Sequence, residues 1–141
     1  MSTLDPTTGI SLVLVGVDGS DNSMRALSWA AQLAAGLDAE LLAVHALGLI
    51  EGMSRDEVAD HFESSWCAPL DRSDVRSRQE IVDGPPAMTL LRLLRDEPVD
   101  LVVVGSRGIG GFAELQLGST SYQLVQHSPV PVTVVPPAPS T

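Results

Sequence analysis

Continuous apolar runs alternate along the chain with stretches in which apolar side chains recur every three or four positions. Leu12 to Val17 is an uninterrupted run rich in β-branched residues, the pattern of a strand buried on both faces, and it stops at Asp18-Gly19-Ser20. Ser20 supplies an N-cap, after which Met24, Leu27, Ala30, Ala31 and Ala34 keep helical spacing until Gly36 ends the helix. A second strand over Glu40 to Ala46 precedes the capping box of Ser54 and Glu57, whose helix carries Val58, Phe62 and Trp66 on one face. Val75 to Val82 mixes Arg76, Arg78, Gln79 and Glu80 with its apolar positions, which predicts an edge strand with one wet face. Pro85-Pro86 opens a helix striped by Ala87, Leu90, Leu91 and Leu94 and closed by Glu97-Pro98. Val99 to Gly105 is the most hydrophobic strand and belongs at the centre of a sheet. A loop over Ser106 to Leu117 leads to a helix from Ser119 to His127. Val130 to Val135 is a last strand, and because Pro129 and Pro131 bring no amide donors, one of its sides is an edge.

Strands alternating with crossover helices imply the α/β class, a parallel sheet of five strands covered by helices on both faces. In such sheets ligands bind beyond the C-terminal strand ends, where the strand order reverses. The site is therefore expected at Asp18 and from Gly105 onward. The 141 residues suit one domain over 1–141, with 1–9 and 137–141 as tails.

Composition narrows the chemistry. A net charge of -10 and the absence of any basic cluster disfavour nucleic acid and anionic membranes as partners. All eight basic residues are arginine, so Schiff bases, lysine general bases and the phosphate-gripping lysine of a Walker A loop are excluded. A phosphate site would have to use amides, hydroxyls, arginine or a metal. The lone Cys67 forms no internal disulfide and reads as packing. His45, His61 and His127 share no ligand spacing, which argues against structural zinc. Trp29 and Trp66 fall on helices and read as packing residues. No apolar run approaches the length of a membrane span, and Met1 to Gly9 is unlike a signal peptide, so a cytoplasmic location is expected.

The stretch Gly105-Ser106-Arg107-Gly108-Ile109-Gly110-Gly111-Phe112, followed by Gly118-Ser119-Thr120-Ser121, leaves a buried strand and enters a helix. Glycines let backbone amides approach a ligand, and the helix start offers unpaired N–H groups to an anion. On the residues alone this is either an anion site or a surface loop with glycines at its turns. Asp18, at a strand end before Gly-Ser, is likewise either a functional carboxylate or a turn former.

Gly105, two residues, Gly108, nine residues, then Gly118-Ser119 resembles the glycine motif of the ATP-binding branch of the universal stress protein family. Val15-Gly16-Val17-Asp18-Gly19-Ser20, the strand end Val44-His45-Ala46 and the closing His127-Ser128-Pro129-Val130-Pro131-Val132 resemble it too, so the likeness spans nearly the whole chain. The resemblance implies a Rossmann-like, adenine-nucleotide α-hydrolase-like sheet of strand order 3-2-1-4-5. It implies that Asp18 lies beside the ribose and phosphates of ATP, with Mg²⁺ on the phosphates near it, and that the Val44 backbone reads the adenine. Gly105, Arg107 and Gly108 would line the ribose and phosphate side, Gly118, Ser119, Thr120 and Ser121 would donate to the phosphates, and Gly16, Val17 and Val104 complete the ATP-binding set. It further implies a homodimer through Val130 to Val135 and a regulator or adaptor in stress response that acts on a partner protein of unknown identity. The alternatives are a slow ATP-hydrolysing enzyme and an interaction protein whose glycine loop stays empty. Glu114 and Gln116 depart from the family pattern, and Gly48 to Asp74 matches it poorly.

Overall fold

The computed structural model describes residues 9–47, 54–72, 74–107 and 117–139. Five parallel strands form one sheet: β1 (Leu12–Gly16), β2 (Glu40–Leu47), β3 (Ser77–Asp83), β4 (Leu101–Gly105) and β5 (Val132–Val135), in the spatial order β3-β2-β1-β4-β5. The expected order is the observed one. The chain moves outward from β1 to β3, then returns to the other side of β1 for β4, so the order reverses between β1 and β4. Asp100 fastens that junction at its base, its Oδ2 accepting the amides of Ser11 at 2.8 Å and Leu12 at 3.1 Å.

The inner strands are largely apolar on both faces because helices cover both. On one face α1 (Asp21–Gly36) lays Ala26, Leu27, Ala30, Ala31 and Ala34 against Val13, Val15, Leu41, Ala43 and Val103, joined by Phe62, Cys67 and Leu70. On the other, α3 (Pro86–Asp96) and α4 (Ser119–His127) pack Leu90, Leu91, Leu94 and Leu124 on Leu12, Leu14, Leu42, Val44, Val102 and Val104. The alanine stripe of α1 lets the helix sit close to the sheet. A side chain on Gly105 would crowd the helix there, since its Cβ would stand 3.0 to 3.1 Å from Asn22 of α1.

Local signals act as read, with specific exceptions. The Ser20 hydroxyl accepts the Ser23 amide at 3.1 Å, and Ser54 and Glu57 form their capping box at the start of α2 (Arg55–His61). Strand ends shift by one or two residues from the expected bounds. α1 ends at Gly36 as expected, and the left-handed backbone that follows the helix end falls on Asp38, at φ 54°. Met24 is half-buried at the margin of the α1 stripe, and the fully buried positions of that turn are Asn22 and Ser23. Trp29 is not a core residue; it is 40% exposed on the outer side of α1. After His61 the helix widens into a π-turn over Phe62–Trp66, followed by a 3-10 turn over Ala68–Arg72. Among the described residues, no helix is long and apolar enough to cross a membrane.

The two outer strands differ in chemistry. β3 is wet, with Arg78 pairing Glu40 of β2 at 3.0 Å, whereas β5 ends the sheet with Val132, Thr133 and Val134 only partly buried.

Asn22 links three elements at the C-terminal end of the sheet's strands. Its Nδ2 donates to the Val135 carbonyl at 3.0 Å, and its Oδ1 accepts the Ser106 hydroxyl at 3.2 Å and the Arg107 amide at 2.8 Å. Asn22→Ala would strand buried groups on both the β4 and β5 exits, and a loss of about 2 to 3 kcal/mol is expected. Urea denaturation checks this, with Gln32→Ala, an exposed position further along α1, expected to change stability by less than about 0.5 kcal/mol.

Candidate functional site

The reversal point brings three segments together. The first is the exit of β1. Val17 is buried, and both of its backbone groups are engaged: its amide donates to the Val44 carbonyl at 2.8 Å, and its carbonyl lies 2.7 Å from Nδ1 of His45. Asp18 follows, partly buried, with Oδ1 accepting the Ser20 amide at 2.9 Å and the Ser20 hydroxyl at 2.6 Å, while its own amide donates to the Ser23 hydroxyl at 3.2 Å. The carboxylate therefore shapes the turn into α1, as an aspartate before Gly-Ser does, from a position at the strand end. Gly19 completes the turn at φ 87°.

The second segment is the exit of β4. Ser106 is buried, donates its amide to the Val135 carbonyl at 2.9 Å, and turns its hydroxyl onto Asn22. Arg107 fixes its backbone on Asn22, and among the described residues its guanidinium forms no ion pair.

The third is the start of α4, held against β4 by two bonds. The Gly118 amide donates to the Ser106 carbonyl at 2.6 Å, and the Ser121 hydroxyl donates to the Gly105 carbonyl. The connection from β4 to α4 thus begins and ends at one place. Gly118 is the N-cap residue of α4, and among the described residues no side chain caps the helix. Its φ of -70° and ψ of 169° are open to any residue, so glycine is not needed there for its backbone. Glycine brings no side chain to cap the helix, and the amides of Ser119, Thr120 and Ser121 carry no intrahelical partner. Ser119 is exposed and Thr120 partly so.

The residues expected at the site separate into two groups. Gly16, Asp18, Gly105, Arg107, Gly118, Ser119, Thr120 and Ser121 gather at the reversal point. Val17, Val44 and Val104 bring no free side chain to it, being 3%, 1% and 4% exposed within the two cores. Gly108, with Glu114 and Gln116, lies outside the described residues. Ser121 differs from its neighbours because its hydroxyl proton is spent on Gly105. Sequence reasoning missed Asn22, Ser106 and His45 as organisers of the site. A signal existed for the first: Asn22 precedes Ala26 and Ala30 by helical steps, a polar residue on an otherwise apolar stripe.

This arrangement can be set beside known proteins. The family model described as the universal stress protein family matches residues 10–136. Universal stress protein YxiE of Bacillus subtilis is 32% identical over 143 residues, covering 87% of this chain and 97% of that protein. A crystal structure of a universal stress protein in complex with cAMP superimposes with a TM-score of 0.73 at 28% identity, over 89% of this chain and 96% of the other. A universal stress protein family protein of Arabidopsis thaliana with AMP bound has a TM-score of 0.68 at 22% identity, over 91% and 92% of the two chains, and shares the fold. With a five-stranded sheet of order β3-β2-β1-β4-β5 and a family match along most of its length, this chain belongs to the universal stress protein family.

Proposed function

We propose that the chain is one cytoplasmic domain that binds an adenine nucleotide, ATP foremost, and serves as a nucleotide-dependent regulator in stress response. The observation that carries this reading is the uncapped start of α4 beside the β4 exit, in a chain that has no lysine to hold phosphate otherwise. The similar protein crystallised with cAMP supports the nucleotide class. The amides of Ser119, Thr120 and Ser121 and the hydroxyls of Ser119 and Thr120 would hold the phosphates, with Ser121 contributing its amide alone. Arg107 would supply the local positive charge, and Asp18 would lie toward a Mg²⁺ ion carried by the triphosphate. Asn22 acts indirectly, by fixing the backbone from which Arg107 projects.

The glycine at the N-cap makes the reading testable from two sides. Gly118→Asp supplies the missing cap, which should leave the fold intact and raise its stability by a few tenths of a kcal/mol. The same carboxylate would occupy the phosphate position, so ATP binding measured by titration calorimetry should be lost. Undiminished ATP affinity in the folded variant would refute the placement.

Hydrolysis is expected to be slow. Amides and hydroxyls that hold phosphate do so about equally in the ground and transition states, which gives affinity without rate. A single-turnover assay with Mg²⁺ and labelled ATP should return less than about 1 per second, below the range of dedicated phosphoryl-transfer enzymes. A faster rate that disappears in Arg107→Ala while nucleotide still binds would favour the enzyme.

The chain is further proposed to pair with a second copy along β5. That strand ends the sheet, its valines are partly exposed, and α4 beside it exposes Tyr122 and Val125. Light scattering at micromolar concentration should give the mass of two chains, and Val134→Pro, which removes an amide on the side of β5 that faces away from β4, should shift the mass toward one.

A further inference from the structure

His45 holds the one buried side-chain polar atom that lacks a hydrogen-bond partner among the described residues, its Nε2. The residue is 4% exposed, and its Nδ1 lies 2.7 Å from the Val17 carbonyl. A carbonyl only accepts, so Nδ1 carries a proton, and in the singly protonated ring Nε2 is then a bare lone pair. Such an acceptor, enclosed without a donor, costs free energy unless something outside the chain supplies the partner.

Two rings that pack on this imidazole come from one short segment. Phe62 lies 6.1 Å from the imidazole, centroid to centroid, and Trp66 meets it edge-on at 5.0 Å. The same indole rests on the β1 exit: a Cβ on Gly19 would stand 2.6 Å from its Cε2. Both rings ride on the π-turn, closed by the Cys67 amide on the Phe62 carbonyl at 3.0 Å, a rare widening that is frequent at functional sites. Trp66 is only partly buried, and it stacks on the exposed His61 at 6.2 Å. Trp66 is thus packed both on the imidazole whose Nε2 lacks a donor and on Gly19, next to Asp18.

We propose that Nε2 of His45 selects the base of the bound nucleotide, becoming accessible when Trp66 swings off Gly19. The inference rests on the adenine-nucleotide reading above and adds a residue to it. A bare lone pair takes an N–H donor. Adenine presents an exocyclic amine at C6, whereas hypoxanthine and guanine present an oxygen at the same carbon, which would set two acceptors face to face and leave both unpaired. The site then prefers 6-amino purines, and it does so through a histidine whose tautomer is fixed by Val17.

Calorimetry on the full chain with ATP and with inosine triphosphate tests this. The wild-type protein should favour ATP by about tenfold or more. In His45→Phe, which keeps a ring between Phe62 and Trp66 but has no lone pair, the two affinities should come within about twofold of each other. Because that variant also removes the donor from the Val17 carbonyl and can unfold the turn, ¹⁵N NMR of the wild-type histidines gives an independent measure. The Nε2 resonance of His45 should move on saturation with ATP and stay in place with inosine triphosphate. Equal wild-type affinities, a preference that survives in His45→Phe, or an unmoved resonance would each remove His45 from base selection while leaving ATP binding standing. If neither nucleotide binds the wild-type protein at millimolar concentration, the nucleotide reading fails and this assignment fails with it.

Discussion

The site depends on a polar joint in an otherwise apolar interface, the side chain of Asn22. Helix α1 could slide along a surface of valine and alanine with little change in buried area, because dispersion and hydrophobic burial are not directional. Three hydrogen bonds from one amide side chain fix its position against the ends of β4 and β5. Gly105 allows that approach by carrying no Cβ, and Ser106 answers the amide with its hydroxyl while donating its own backbone N–H across to β5. Helix α4 in turn is fastened to Gly105 and Ser106. Every group assigned to phosphate binding is thus referenced, through at most two contacts, to Asn22.

Much of the fold was legible because period and burial agree. Strands covered on both faces must be largely apolar: β1 and β4 are apolar throughout, and β2 is so apart from Glu40 and His45; the wet edge announced itself in Arg78, Gln79 and Glu80 of β3. Boundaries were less legible. At the end of α1 the sequence offers a glycine, yet the left-handed position falls two residues later, on Asp38, because the helix runs on until Leu37 caps it. Glycine marks where such a conformation is cheap and does not dictate where it occurs.

The candidate site was legible as an outline only. Glycines, serines and a strand-end aspartate mark the place, but sequence cannot tell a hydroxyl free to meet a ligand from one already engaged. Ser119 and Ser121 are the same residue two positions apart; one is exposed at the helix start, while the other donates to the Gly105 carbonyl and lies within the fold. Nor does Gly105 advertise that its lack of a side chain serves helix packing. Asn22 escaped notice, and His45 was read without its structural role, for a related reason: their importance lies in partners more than twenty residues away, Ser106, Arg107 and Val135 for Asn22 and Val17 for His45.

The π-turn over Phe62–Trp66 carries one more residue per turn than the helix it extends. Successive residues of an α-helix are set about 100° apart around its axis, so removing one residue here would restore ordinary winding and turn the indole about a quarter of the way around, away from Gly19. Whether an aromatic ring covers the β1 exit is consequently a matter of counting as much as of composition. Relatives that differ by a single insertion or deletion in this stretch would present different surfaces above the same strands, even with every glycine of the loop retained.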